Sequence, residues 1–268
     1  MTQPTLATLT QYYQPEEKLD SFATMNALLW LTAEQQQPIV HYWQLPQTVI
    51  LGLRDQQLPA LAAGLQTLAQ ADYHVLLRNS GGLAVVADSG VLNVSLFLPA
   101  YRSDYTIEAA YQLMTTYVQA AWPDLPITAG EIKHSYCPGD YDLSIHGQKI
   151  AGMSQRRTEQ ALVVMLYISI NGNQDQRSQL IRHFYAAGLA GQQDSRFPDI
   201  DPQVMTTISA AQQSVLTIDQ AIDRFNVVWQ QNYQLDHHRL KNLIEEPEFQ
   251  AHLTHAYHDM QRRQTRLH

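Results

Sequence analysis

The apolar run at residues 161–170, ALVVMLYISI, constrains the fold of this chain more than any other feature of the sequence. It is too short to cross a membrane, because a spanning helix takes roughly 18 or more apolar residues. It has instead the pattern of a strand that is buried on both faces of a sheet. The run therefore predicts a layered protein in which other elements cover a sheet on each side.

Other segments supply strands and helices for such a protein. Residues 39–53 are rich in Val, Ile, Tyr and Trp and are broken at Pro46, which predicts two strands joined by a turn. Turn residues separate the short β-type runs 75–77, 83–87 and 92–98, and we predict that these form successive strands of one sheet. A further strand is predicted at 141–145. Helices are predicted at residues 19–34, 58–70, 105–121, 218–233 and 248–263.

The length of the chain and the change in its composition suggest how it is divided. With 268 residues it can bury a sizeable core. Strand signals become scarce after residue 175, while Gln, His and Arg become more frequent. We therefore predict an α/β catalytic core in residues 1–195 and a helical C-terminal appendage in residues 196–268, packed on the core.

Charge and cysteine content exclude some classes of function. A formal net charge of −8 argues against general nucleic-acid binding, which needs a cationic face. A single cysteine cannot form an intramolecular disulfide, and the N-terminus lacks the pattern of a signal peptide. These features favour a reducing cytoplasm and no association with a membrane. His252, His255 and His258 have no carboxylate at a known metal-ligand spacing, so a surface helix is the preferred interpretation.

Three short motifs contain residues that could carry chemistry. Cys137 opens a Pro-Gly turn in SYCPGD and could be a thiolate nucleophile or an ordinary buried side chain. Lys149 lies between two glycines in GQKIAG and could contact a carbonyl oxygen, or could be a solvated lysine. The run RNSGG at residues 78–82 could bring backbone close to a ligand or could be a plain turn; it lacks the spacing of a phosphate loop. Taken singly, each motif leaves both interpretations open.

The order of the motifs is more informative than any one of them. The runs RNSGGLAVV at residues 78–86, DSGVLNVS at 88–95 and KIAGMSQ at 149–155 together resemble the signature of the lipoate/biotin protein ligase and octanoyltransferase superfamily. The resemblance covers about residues 20–170. It implies a mixed, largely antiparallel sheet flanked by helices, and it matches Lys149 to a family lysine that contacts the acyl carbonyl.

A second group of motifs is similar to one branch of that superfamily. SYCPG at residues 135–139, YDLSI at 141–145 and QRR at 155–157 resemble amidotransferases that move an octanoyl chain from the glycine cleavage H protein to the E2 lipoyl domains. The resemblance implies that Cys137 is a nucleophile that carries the octanoyl or lipoyl chain as a thioester, that Lys149 contacts the carbonyl or oxyanion, and that no cofactor is needed. The substrate-binding residues that it implies are Arg78, Ser80, Gly81, Gly82, Asp142 and Gly152.

One departure from the family pattern bears on the acyl donor. Leu83 stands where ATP-dependent ligases usually have a third glycine, so exchange without ATP is favoured. Three alternatives remain open from the sequence. They are transfer from octanoyl acyl carrier protein, an ATP-dependent lipoate ligase, and a non-catalytic protein that binds the acyl chain or lipoyl domains.

Overall fold

The computed structural model describes residues 3–100 and 105–267, whose strands form one sheet of eight strands and one of three. The strands are β1 (Thr5–Tyr12), β2 (Ile39–Gln44), β3 (Thr48–Leu51), β4 (His74–Leu77), β5 (Val85–Ala87), β6 (Val91–Pro99), β7 (Ile127–Ala129), β8 (Leu143–Ile145), β9 (Gln148–Arg157), β10 (Ala161–Ser169) and β11 (Gln234–Asp236). The helices are α1 (Lys18–Gln35), α2 (Leu61–Gln70), α3 (Ile107–Ala121), α4 (Gln174–Leu189), α5 (Ile208–Ala211), α6 (Ile218–Trp229), α7 (Arg239–Leu243) and α8 (Pro247–Gln264).

The large sheet is mixed and mostly antiparallel. Its strand order is β11-β1-β2-β6-β10-β9-β8-β7. β1 pairs in parallel with both β11 and β2, and every other described pairing in this sheet is antiparallel. The fold class expected from the family resemblance, an α/β protein with a largely antiparallel sheet flanked by helices, is therefore confirmed.

The apolar run at 161–170 forms β10 near the centre of this sheet, and its side chains alternate between two cores. Val164 and Leu166 belong to the core on the face covered by α3 and α6. Val163 belongs to the core on the opposite face, beneath α1 and α8. This two-sided burial explains why the run carries almost no polar residue.

The small sheet corrects one sequence-based expectation. The runs at 75–77, 83–87 and 92–98 were expected to be successive strands of one sheet, and this prediction is wrong. β4 and β5 instead flank β3 in the three-stranded sheet, whereas β6 lies between β2 and β10 in the large sheet. The bend at Pro46 and Gln47, where Gln47 has a φ of +25°, turns β3 away from β2. Alternation of side chains within a strand does not encode which strand becomes its partner.

The residues beyond 195 are mostly helical and pack closely on the rest of the chain. α6 packs on α3, and α8 packs on α1 and β4. One short strand, β11, extends the large sheet beside β1. The backbone nitrogen of Thr206 also donates to the carbonyl oxygen of Lys149 at 2.9 Å. The division into a core and an appendage at residue 195 stays a prediction.

Two kinds of feature are missing from residues 3–100 and 105–267. No helix there combines the length and the apolar character that a membrane span requires. Those residues also contain no group of three or more His, Cys, Asp or Glu side chains that could hold a metal ion.

His41 of β2 is a buried titratable residue inside the core beneath α1. It is fully inaccessible to solvent, and its ring packs beside those of Tyr13 and Trp43. Neither ring nitrogen has a hydrogen-bond partner among the described residues. Burial disfavours the charged imidazolium and lowers the pKa of His41 to about 3.

This burial predicts a stability difference that depends on pH. Below about pH 6.5 the unfolded chain binds a proton on His41, whereas the folded chain does not until about pH 3. Between these values His41 should therefore lower the free energy of unfolding by about 1.4 kcal/mol for each pH unit of acidification. Denaturant unfolding of the wild type and of His41→Phe at pH 7.5, 6 and 5 checks this. The variant should lose less stability on acidification, and a pH-independent difference between the two proteins would contradict it.

Candidate active site

Cys137 lies in the loop between β7 and β8, and its thiol faces the loop between β4 and β5. The sulfur accepts a hydrogen bond from the backbone nitrogen of Leu83 at 3.3 Å and lies 3.7 Å from Nη2 of Arg78. The residue is half-buried. The nucleophilic form of a cysteine is the thiolate, and both contacts place a hydrogen-bond donor at the atom that would carry its charge.

Arg78 shapes the loop that faces the cysteine. Its Nε and Nη2 atoms donate to the carbonyl oxygen of Gly81 at 3.1 and 2.8 Å, and Nη2 also donates to the carbonyl oxygen of Leu83 at 3.1 Å. Gly82 has a φ of +93°, and a Cβ there would lie 2.4 Å from Nη2 of Arg78 and 3.2 Å from the Cys137 sulfur. Glycine is therefore favoured at 82 by its backbone conformation, and a side chain there would also have to displace the Arg78 guanidinium. A Cβ at Gly81 would meet nothing nearby among the described residues.

Lys149 lies on β9 and is tied to the loop that carries the cysteine. Its amino group donates to the carbonyl oxygens of Cys137 at 2.8 Å and Tyr136 at 3.1 Å, and to Oγ of Ser135 at 3.3 Å. These contacts hold Cys137 in a left-handed conformation, with a φ of +47°. Such a conformation costs a non-glycine residue about 1–3 kcal/mol, so the surrounding contacts must stabilise it.

Asp142 balances the charge of this lysine. Its Oδ2 atom is 2.9 Å from the Lys149 nitrogen, and both side chains are about 3% exposed. Oδ2 also accepts a hydrogen bond from the backbone nitrogen of Gly139 at 3.1 Å. Burial raises the pKa of Asp142 above its usual range, and the charge of Lys149 partly offsets that rise. The pair is a buried ion pair that joins β9 to the cysteine loop.

All eight site residues predicted from the sequence line one cavity. Its volume is about 370 Å³, within the range of small-molecule sites. Cys137 and Lys149 both contribute to its wall, as the hypothesis of a shared site requires, although twelve positions separate them along the chain. The remaining six are Arg78, Ser80, Gly81, Gly82, Asp142 and Gly152. Their individual roles stay predictions.

The sequence motifs did not identify the apolar walls of the cavity. Those walls come from α1, β2, β3, β5, β9 and β10, and they include Phe22, Trp43, Ile50, Val85, Met153 and Met165. Met153 and Met165 are on neighbouring strands, but they pack against the cores on opposite faces of the sheet, so alternation along a strand could not have grouped them. Nor could it have shown that α1 closes the cavity. An apolar chamber of this kind fits a hydrocarbon chain better than a polar ligand.

Two polar features at the site also follow from the structure. Ser80 has a buried hydroxyl that lines the cavity and has no hydrogen-bond partner among the described residues. It is therefore free to bond to a substrate. Lys149, Arg156 and Arg157 lie within nine residues of each other in the sequence but do not form a common basic patch, because Lys149 is buried and Arg157 donates to the carbonyl oxygens of Tyr105 and Thr106.

Comparison with known proteins shows the family. The family model described as the lipoyl protein ligase A/B catalytic domain matches residues 17–228. An octanoyl-[GcvH]:protein N-octanoyltransferase of Oceanobacillus iheyensis is 41% identical over 77% of this chain and 75% of that protein. A lipoyl-[GcvH]:protein N-lipoyltransferase of Listeria monocytogenes is 42% identical over 78% of this chain and 76% of that protein. The chain belongs to the lipoyl protein ligase A/B catalytic domain family.

Solved structures agree on the fold. Lipoate-protein ligase A bound with ATP matches with a TM-score of 0.71 and 14% identity, over 96% of this chain and 94% of that chain. A bipartite lipoate protein ligase from Thermoplasma acidophilum matches with a TM-score of 0.68 and 17% identity, over 96% and 92% of the two chains. At these identities the likeness concerns the fold alone, which is that of a lipoate protein ligase.

Proposed function

We propose that this chain is an acyltransferase that moves an octanoyl or lipoyl chain between lysines of two proteins through a thioester on Cys137. The observation that carries this proposal is that Cys137 and Lys149 line one largely apolar cavity, with the Leu83 N–H directed at the Cys137 sulfur. Relatives about 41% identical are named for transfer from the H protein, GcvH, and this supports GcvH as the donor. The acceptors proposed here are the lysines of E2 lipoyl domains, and the proposed location is the cytoplasm.

The energetics of the exchange support a covalent intermediate. Donor and acceptor are both lysine amides of the same acyl group, so the overall free-energy change is close to zero and no ATP is needed. A thioester on Cys137 lies above either amide in free energy and keeps the acyl group reactive. The enzyme can then bind the two protein substrates in turn at a single cavity, which is a ping-pong scheme.

Each half-reaction follows from the contacts at the sulfur. The Cys137 thiolate attacks the carbonyl carbon of the donor amide, and the C–S bond forms as the carbonyl oxygen gains negative charge. When the C–N bond breaks, the donor lysine leaves with its electron pair and takes up a proton. The neutral amine of the acceptor lysine then attacks the thioester, loses its proton and releases the thiolate. Ser80 and Lys149 are the donors proposed for the developing oxyanion, and Lys149 must exchange one of its present contacts for it.

Acylation of the enzyme is the most direct test of the proposed function. Mixing the protein with octanoylated GcvH should add the mass of one octanoyl group to the chain, and hydroxylamine should remove it. Peptide mapping should place the adduct on Cys137. Octanoyl acyl carrier protein, offered separately, tests the competing donor. A protein that stays unmodified by both donors, and does not transfer the chain from either one to a lipoyl domain, would contradict the proposal.

The absence of a nucleotide requirement is a second expected result. The side chain of Leu83, which stands at the position of the third glycine of the ligases, is packed into the core around the small sheet. We expect lipoyl-domain modification from octanoyl-GcvH to proceed at the same rate with and without Mg-ATP. Free octanoate with Mg-ATP should give no product. Modification from free octanoate that depends on ATP would favour the ligase alternative instead.

A further inference from the structure

Asp55 is a buried carboxylate that has no part in the chemistry proposed above. It begins the 3₁₀ helix Asp55–Gln57 that follows β3, and it is fully inaccessible to solvent. One of its oxygens accepts the backbone N–H of Gly52 at 2.8 Å, and the other accepts the hydroxyl of Tyr185 at 2.8 Å. Burial raises the pKa of Asp55 to about 6, although both donors lower it. Asp55 is therefore mainly a carboxylate at neutral pH.

Tyr185 of α4 connects this carboxylate to the loop beside the cysteine. Its hydroxyl oxygen accepts the backbone N–H of Ala84 at 3.0 Å, and its ring is buried. A carboxylate can only accept, so the hydroxyl hydrogen must point toward Asp55. That orientation leaves a lone pair of the hydroxyl oxygen directed at the Ala84 N–H. The charge on Asp55 thus determines the direction of the whole chain of hydrogen bonds.

Both partners of Asp55 act on the segment of residues 82–84. Ala84 is adjacent to Leu83, whose N–H donates to the Cys137 sulfur. Gly52 packs directly against the same segment, because a Cβ on Gly52 would lie 2.0 Å from the carbonyl oxygen of Gly82. The carboxylate of Asp55 therefore holds the backbone N–H of Gly52, which packs against the Gly82 carbonyl. It also holds the hydroxyl of Tyr185, which accepts from Ala84. Between these two anchors lies the N–H that faces the sulfur.

We propose that Asp55 and Tyr185 are positioning residues that keep the Leu83 N–H directed at the Cys137 sulfur during acyl transfer. The inference rests on the proposed function, since it assumes that the thiolate of Cys137 is the working nucleophile. Among the described residues, the sulfur takes its hydrogen bonds from Leu83 and Arg78 and from neither of these two side chains. They act through the backbone of residues 82–84. Gly82 has no side chain that could hold this segment in place, so outside contacts must do so.

Tyr185→Phe is the first variant that tests this proposal. It keeps the buried ring and removes the hydroxyl that Ala84 and Asp55 share. We expect the pH midpoint for alkylation of Cys137 by iodoacetamide to rise by about one unit, which is a tenfold smaller thiolate fraction at a given pH below the midpoint. The kcat for transfer at neutral pH should fall by about the same factor, with little change in KM, because substrate contacts are unaltered.

Asp55→Asn is the second variant, and it tests the direction of the hydrogen bonds. An amide has one accepting oxygen and one donating nitrogen. With its oxygen facing the Gly52 N–H, its NH₂ group faces the Tyr185 hydroxyl and takes the place of an acceptor. The hydroxyl oxygen can still accept from Ala84, but the hydroxyl hydrogen loses its acceptor and must turn away from residue 55, which disturbs the alignment at Ala84. The alkylation midpoint should therefore rise, by less than in Tyr185→Phe. Because both residues act through the same backbone segment, the double variant should shift the midpoint no further than the larger single shift.

Tyr42→Phe provides a matched control. Tyr42 is equally buried, and its hydroxyl also joins two partners, accepting from Nε1 of Trp229 at 2.7 Å and donating to Asn226 at 3.0 Å. It lies in the core on the α3 and α6 face, away from the cysteine. This variant should lose a comparable amount of thermal stability and leave the alkylation midpoint unchanged.

The outcomes separate this proposal from the proposed function. Alkylation needs no acyl substrate, so a raised midpoint in Tyr185→Phe that is absent from Tyr42→Phe supports the positioning role even if no octanoyl adduct forms. If folded Tyr185→Phe has the wild-type midpoint and the wild-type kcat, the positioning role is wrong, while acylation of the wild type can still support the transferase. Equal shifts in Tyr185→Phe and Tyr42→Phe would also overturn it, because they would reflect general destabilisation.

Discussion

Replacing Cys137 by alanine is expected to abolish acyl transfer and leave the fold intact. The side chain is half-buried in a loop, so loss of the sulfur should change the free energy of unfolding by about 1 kcal/mol or less. Alanine keeps the Cβ and therefore leaves the left-handed backbone at this position as strained as before. The assay is transfer from octanoyl-GcvH to a lipoyl domain, with circular dichroism and thermal unfolding to verify folding.

Serine at the same position distinguishes a thiolate nucleophile from a residue that merely fills space. A hydroxyl is far less ionised than a thiol at neutral pH, and an ester is a less activated acyl carrier than a thioester. We expect Cys137→Ser to transfer very poorly although it is nearly isosteric with the wild type. Asp140→Ala, an exposed substitution in the same loop, is the matched control and should retain transfer.

The result that would reject the covalent mechanism is simple. A folded Cys137→Ala protein that transfers octanoyl at a rate near that of the wild type, in an assay without ATP, cannot work through a thioester at this position. The apolar cavity and the family membership would then stand, but the chemistry would have to use a direct attack of one lysine on the other amide.

The elements of the fold were easier to predict than their arrangement. Apolar periodicity and branched side chains indicated α1, α3, α8 and β10. Each of these helices buries a continuous apolar stripe, and β10 is buried on both faces of the sheet. β9 was missed, since its sequence QKIAGMSQRR mixes polar residues and glycine with few apolar ones. The partners of β3 were also missed. Strand pairing is decided by contacts between distant segments, and only the family resemblance implied the correct sheet.

The site divides in the same way into residues that motifs can identify and residues that they cannot. Ordered motifs pointed to Cys137, Lys149 and the Gly81-Gly82 turn. A reactive side chain next to turn residues or glycines forms a short pattern that can be recognised in the sequence. Asp55 and Tyr185 leave no such pattern, since the hydrogen bond between them joins positions 130 residues apart. The apolar walls of the cavity look like any other core residues in the sequence. Their role follows only from the space that they enclose.

Replacing Lys149 by methionine should reduce both stability and transfer, for separable reasons. Methionine keeps much of the volume but removes the charge that faces Asp142, leaving a buried carboxylate without its partner. Loss of one partner of a buried ion pair lowers the free energy of unfolding by about 3–5 kcal/mol. Loss of one donor to a developing oxyanion costs a factor of about 10²–10³ in kcat. Alkylation of Cys137 should persist in this variant, because the thiol remains.

The stability loss should depend on pH in a defined direction. Burial already raises the pKa of Asp142, and Lys149 opposes that rise. Without the lysine the pKa of the folded state rises further above its unfolded value, so the carboxylate destabilises the variant above the raised pKa. Acidification through that pKa protonates Asp142 in the folded protein and removes the penalty. The difference in unfolding free energy between the wild type and Lys149→Met should therefore be larger at pH 8 than at pH 5.

A double variant separates the catalytic role of Lys149 from its structural one. Lys149→Met combined with Asp142→Asn removes both buried charges and should recover most of the lost stability, because buried ion pairs contribute little net free energy compared with neutral replacements. Transfer should stay as slow as in the single variant, since the oxyanion donor is still missing. If the double variant regains both stability and the wild-type kcat, Lys149 serves only to neutralise Asp142, and Ser80 together with the backbone N–H groups would have to stabilise the oxyanion.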